Sequence, residues 1–228
     1  MTDSRIWFAH NPWPRGHRVV RCDWSGRLDD LGLWFDLHLQ SASYTEGDPP
    51  PPDDDDDDDD ESTAGDWAAR GVWSNYGRCT LSSTMWPGYH AGLLVGSADT
   101  PLDLDRLVRR GVRADSLPAG PTEVALLGER KRAVGLYLLG HDTAADHHLR
   151  ITPTGPRAHL DWTGRIALTY VGAKTFRHTF RAVVARPRFT GFAITPGLPL
   201  DVARDLLALF TTDPSRFTLR AGRFIPRW

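Results

Sequence analysis

The sequence predicts an α+β fold, mainly antiparallel sheet closed as a sandwich or an open barrel, with two short helices. Three observations predict it. Runs alternating apolar and polar residues recur along the chain, only two stretches carry a helical stripe, and most runs end at Gly, Pro or Asp turn signals. With 228 residues the chain can bury a core without staples, and a single compact β-rich domain over 1–228 is the simplest organisation.

Taken in order, the first predicted strand is Arg18 to Trp24. The second is Leu33 to Leu39, where Leu33, Phe35, Leu37 and Leu39 alternate with Trp34, Asp36 and His38, so that the polar set faces outward. Residues 47–64 then predict a disordered loop. Four prolines in a row forbid regular pairing there, and eight adjacent aspartates repel one another. Strand text on both sides makes the segment a loop within one domain rather than a linker between two. Further strands are expected over Val72 to Leu81, Gly92 to Val95, Val134 to Leu139, Leu149 to Thr152, Ile166 to Val171, Phe176 to Val184 and Phe217 to Phe224.

The first helix is expected after Thr100. That residue can cap, Pro101 suits a first turn, Asp103 and Asp105 favour the positive end, Arg109 and Arg110 the negative end, and Gly111 stops it. The second carries Ala203, Leu206, Leu207 and Phe210 at i, i+3, i+4 and i+7, the stripe of a helix packed on a sheet. Both follow Pro-Leu-Asp, at 101–103 and 199–201. A second echo precedes them: Asp-Trp-Ser-Gly-Arg-Leu at 23–28 and Asp-Trp-Thr-Gly-Arg-Ile at 161–166. A diverged internal duplication, with halves near 17–115 and 155–224, is one reading of the two echoes. Coincidence between generic helix starts and strand ends is the other.

Composition bounds the function. No apolar run approaches the roughly 18 residues of a membrane helix, and the N-terminal text lacks the pattern of an export or transit signal. A soluble, cytoplasmic chain with no membrane partner is expected. Two cysteines, Cys22 and Cys79, form no paired motif, so a disulfide framework is not expected. The formal charge of −2 hides an asymmetry: residues 46–61 carry eleven acidic and no basic side chains, whereas residues 150–228 carry thirteen basic and four acidic ones. Phosphate-cradling, dinucleotide and serine-elbow motifs are absent.

The densest polar cluster is His141, Asp142, Asp146, His147 and His148, expected in a loop between two strands. Imidazole and carboxylate suit a divalent transition metal. Adjacent residues on a strand point to opposite faces, so only one of His147 and His148 can join His141, and a further ligand must come from elsewhere, such as His38, Asp36, His159 or His178. The competing reading is a solvated turn, since the spacing fits no familiar zinc motif. A Cys79–His90 nucleophile pair has no local signature, and inert packing is the plainer reading of that cysteine. Seven of the nine tryptophans, Trp86 among them, fall in the first 86 residues, and Trp34 on the polar face of its strand is the candidate exposed anchor. In the basic C-terminal third, Arg177, Arg181, Arg220 and Arg223 are candidates for an anionic partner, nucleic acid included.

These residues lead to the expectation of a non-catalytic binding or interaction protein that takes a protein partner and needs no cofactor. One alternative is a metal-dependent hydrolase built on His141 to His148. The other is a polyanion or nucleic-acid binder using the Arg-rich third.

Overall fold

The computed structural model describes residues 4–46, 67–84, 90–120, 122–128 and 131–228. The acidic run and Trp86 lie outside them. Two three-stranded antiparallel meanders form the framework. The first is β1 (Arg5–Phe8), β2 (His17–Leu28) and β3 (Leu33–Ser41); the second is β8 (Thr143–Thr154), β9 (Arg157–Ala167) and β10 (His178–Ala185). An antiparallel β1–β10 ladder, Arg5 opposite Val183 through Phe8 opposite Phe180, joins them into one sheet.

On its far side β3 is extended by β4 (Thr80–Ser82) and β5 (Leu93–Gly96), and β4 by β7 (Gly135–Tyr137). At the other end β8 is extended by β6 (Val112–Ala114). The sheet curls until β5 comes close to β6, but no ladder joins these two strands among the described residues. The result is an open barrel, as the alternation predicts. β11 (Phe189–Ile194) pairs in parallel with the second half of β2 and carries the hairpin of β12 (Phe217–Arg220) and β13 (Arg223–Pro226).

Both predicted helices form. In α2 (Leu104–Arg110) the cap is Asp103, which accepts from the Arg106 N–H at 2.9 Å, rather than Thr100; Pro101 lies outside the helix and Gly111 stops it at φ 70. In α3 (Leu200–Phe210) Ala203, Leu207 and Phe210 are buried on the expected stripe. A third helix, α1 (Arg70–Ser74), stands where a strand was expected. Its neighbours Val72 and Trp73 are both buried, which a one-faced strand cannot achieve.

Three further expectations are corrected. Residues 143–148 are the start of β8, not a loop. The run after Ile166 ends at Ala167 and passes into a single 3₁₀ turn, Thr169–Val171. Phe217 to Phe224 is two strands, broken at Ala221 and Gly222, both at positive φ.

The Asp-Trp segments occupy β2 and β9 in the same way. Trp24 and Leu28 in one, Trp162 and Ile166 in the other, all point inward and are at most 2% exposed. Between them sit Gly26 and Gly164, where an added Cβ would meet the Phe192 ring at 2.6 Å and the Phe180 ring at 2.5 Å. Each glycine makes room for an aromatic ring on the inner face. The Pro-Leu-Asp helices, by contrast, do not superpose in register. Aligning the prolines sets buried Leu104 and Leu107 against exposed Val202 and Asp205.

Candidate functional site

Strand alternation that buries Trp162, Gly164 and Ile166 turns Asp161, Thr163 and Arg165 outward on β9. Cross-strand register then builds a row on the outer face. Arg113 of β6 lies opposite His148 of β8, His148 opposite Thr163 of β9, Thr163 opposite Arg181 of β10, and Arg181 opposite Trp7 of β1. Five strands contribute one residue each, and at the usual ~4.8 Å between strands the row is about 19 Å long.

Its members are held locally. Arg181 donates Nε and Nη2 to the two oxygens of Asp161, both at 2.9 Å, and that fork holds the Asp161 carboxyl below the usual carboxylate range. His148 Nε2 lies 2.9 Å from the Arg110 carbonyl at the end of α2. Trp7 packs over Gly16, where an added Cβ would come within 2.6 Å of the indole and φ is 68. Arg150, opposite Asp161, flanks the row.

Three grooves follow this face. One of 310 Å³ is lined by His148, Arg150, Asp161, Thr163 and Arg181. A larger one of 760 Å³ shares Thr163 and Arg181 and continues past Trp7 to His10 and Asn11. The third, 410 Å³, lies between α2, β5 and β6 and includes Arg106, Arg110 and Arg113. Most arginines elsewhere are tied down: Arg27 bonds Asp36 and the Ala91 carbonyl, Arg165 bonds the Gly120 and Phe176 carbonyls, and Arg216 bonds Asp105. The side chains of Arg106, Arg110, Arg113 and Arg150 make no hydrogen bond or ion pair among the described residues. Four guanidinium groups without a hydrogen bond or ion pair among the described residues therefore gather at one end of the row, with Arg150 near the Asp161 carboxylate and Arg106 near that of Asp103.

The five residues singled out as metal ligands are spread apart. His141 sets its ring against Tyr137 at 5.5 Å. Asp142 is buried and accepts from the backbone N–H of Leu139 and of Tyr170, closing the turn before β8; burial raises its carboxyl above the usual range. Asp146 sits at φ 52 in a bulge of β8. His147 points inward between Trp162 and Phe180, and His148 points outward. Of the further ligands considered, Asp36 bonds Arg27, His38 lies 3.0 Å from Ser82 Oγ, His159 is on the outer face of β9, and His178 stacks on Trp67 at 3.9 Å. Among the described residues no group of three or more His, Cys, Asp or Glu side chains converges to hold a metal ion.

The binding-surface candidates divide. Arg181 is in the row. Arg177 bonds its own neighbour Thr175, while Arg220 and Arg223 face each other on the β12–β13 hairpin, with Arg223 donating to the Gly191 carbonyl. Trp34 is half-covered: its Nε1–H donates to Asp29 at 2.9 Å and the Arg27 guanidinium lies 5.0 Å over its ring. Cys79 is fully buried, which pushes its thiol pKa up and leaves it inert, and both cysteines are free. Sequence reasoning missed Arg113, Arg150, Thr163 and Trp7, and considered His148 only as a ligand. The alternation at 159–165 is the one signal in the text that could have exposed the β9 contribution.

No family model, curated protein or solved structure matches this chain. Its functional reading rests on the geometry of the face.

Proposed function

We propose that this chain is a non-catalytic binding protein that seats an anionic partner along the row from Arg113 to Trp7. The observation that carries the reading is the row itself. Register across five strands places guanidinium, imidazole, hydroxyl and indole groups side by side, with arginines at one end that make no side-chain hydrogen bond or ion pair among the described residues. The guanidinium groups of Arg113 and Arg150 at that end can meet carboxylates or phosphates of a ligand laid along the row, and Arg presents the planar fork that both prefer. Two free thiols fit a reducing, cytoplasmic setting. No helix among the described residues is long and apolar enough to cross a membrane.

The test is charge reversal at Arg113 and Arg150, whose exposed side chains make no hydrogen bond or ion pair among the described residues, so the Arg113→Glu/Arg150→Glu variant is expected to fold like the parent. Binding of a labelled polyglutamate is followed by fluorescence anisotropy at low and at physiological salt. Parent affinity is expected to fall steeply with salt, and the double variant to lose about tenfold or more at low salt with a shallower salt slope. Equal affinity in parent and variant would falsify the assignment.

A further inference from the structure

The outer face carries two adjoining grooves of opposite chemistry. The smaller sets two guanidinium groups, Arg150 and Arg181, against the single carboxylate of Asp161, with His148 and Thr163 beside them, and so keeps a net positive charge. The larger shares Thr163 and Arg181 with it and runs on past Trp7. There the balance is reversed. Both arginines of that groove are already bonded, Arg181 to Asp161 and Arg165 to the Gly120 and Phe176 carbonyls. The carboxylate of Asp146, by contrast, has no hydrogen bond or ion pair among the described residues. Trp7 is unusual too. Every other described tryptophan has an aromatic ring or a guanidinium group against it; Trp7, packed over Gly16, has neither among the described residues.

We propose that the two grooves together take a nucleoside monophosphate, with its phosphate beside Arg150, its base on the Trp7 indole and its hydroxyl or amino groups donating to Asp146. The inference rests on the anionic-partner reading above and names the ligand's class. An anion charged along its whole length meets the arginines but sets a further negative charge against Asp146. Inorganic phosphate leaves the larger groove and the indole uncovered. A nucleoside monophosphate carries its charge at one end only, and its other end brings a flat ring for stacking and neutral donors for a carboxylate. The reach agrees. By register His148 and Trp7 lie three strands apart, about 14 Å at the usual strand spacing, which leaves room for phosphate, sugar and base in line between the two side chains. The groove volumes, 310 and 760 Å³, are those of small-molecule sites.

The probe is AMP, titrated by calorimetry into the full chain at low salt, beside adenosine, ribose 5-phosphate and inorganic phosphate. The expected result is saturable binding of AMP, with each of the other three at least tenfold weaker. Trp7→Ala is expected to lose about tenfold for AMP and Trp7→Phe to keep most of the affinity, since the stack needs a ring rather than the indole itself. Asp146→Asn suits the fold, because asparagine also accepts the φ of 52 at that position. It is expected to weaken AMP about tenfold while polyglutamate binds as well as before or better. Tighter AMP binding in Asp146→Asn reduces that carboxylate to a repelling charge and overturns the assignment. Ribose 5-phosphate or phosphate binding as tightly as AMP overturns the place of the base on Trp7. Failure of AMP while polyglutamate still binds overturns the inference and leaves the anionic-partner reading standing; failure of both removes the two together.

Discussion

His147 shows how one buried side chain sets a response to acid. Its imidazole is 1% exposed, neither nitrogen has a hydrogen-bond partner among the described residues, and burial pulls its pKa from 6.5 down to about 3. The unfolded chain therefore binds a proton that the folded chain refuses between about pH 6.5 and 3. Its contribution to stability is complete above that window and is lost as pH falls through it. Replacing His147 with Leu removes both the proton linkage and two orphaned polar atoms. The variant is expected to show a urea midpoint that falls less between pH 8 and pH 5 than the parent's, with a gain of about 1–3 kcal/mol at pH 8. An unchanged pH dependence would place the acid response elsewhere. The glycines make a sharper pair. Gly164→Ala drives a methyl to within 2.5 Å of Phe180 and is expected to cost about 1–3 kcal/mol. Gly71→Ala, in α1 with nothing within 4 Å, is expected to add up to about 1 kcal/mol. Thermal melts of the two variants check the contrast.

Among the elements, the aromatic cluster under α1 governs what surrounds the acidic segment. Tyr44 and Trp67, the described residues nearest its two ends apart from Thr45 and Glu46, both lie 4.9 Å from the Trp73 ring. The Tyr44 hydroxyl donates to the Leu138 carbonyl and Trp67 Nε1–H to the Ala9 carbonyl. Both flanks are thus anchored to the same buried indole, whatever length of chain lies between them. Loop closure depends only logarithmically on length, about 0.6 kcal/mol per doubling. Deleting residues 49–61 is therefore expected to shift Tm by only a few degrees, which calorimetry reads directly. The elements legible from the text were those with long one-faced alternation, such as β3 and β10, and two helices, α2 from its terminal residues and α3 from its apolar stripe. β1 is too short for a period to show. β11 is interrupted by Gly191, which takes φ 90 beneath Ile225. The start of β8 was hidden because Asp146, His147 and His148 are all polar, and nothing in their identity says that the middle one turns inward.

For the molecule as a whole, charge is separated along the chain. Deleting residues 49–61 removes nine carboxylates, Asp53 to Asp60 and Glu61, and turns the formal charge from −2 to +7. At low salt the same variant is expected to bind polyglutamate more tightly than the parent, with the difference shrinking as salt is added. Equal affinity at low salt would show that the acidic segment does not influence the face. The fold class was legible because period-2 patterning survives in any one strand. The row was not, because its residues, at positions 7, 113, 148, 163 and 181, have no common spacing and meet only through register across five strands. Arg181 alone was singled out as a binding residue, from the basic bias of its own segment, and His148 only as a metal ligand.

Because the row has no existence outside the folded register, any compound that settles on it binds the native chain and not the unfolded one. Such a compound raises the melting temperature by mass action, by about 2.7 kcal/mol of added stability at a hundredfold excess over its Kd. A library can therefore be searched by heat alone, with the Arg113→Glu/Arg150→Glu protein as the counter-screen that separates occupants of the row from everything else.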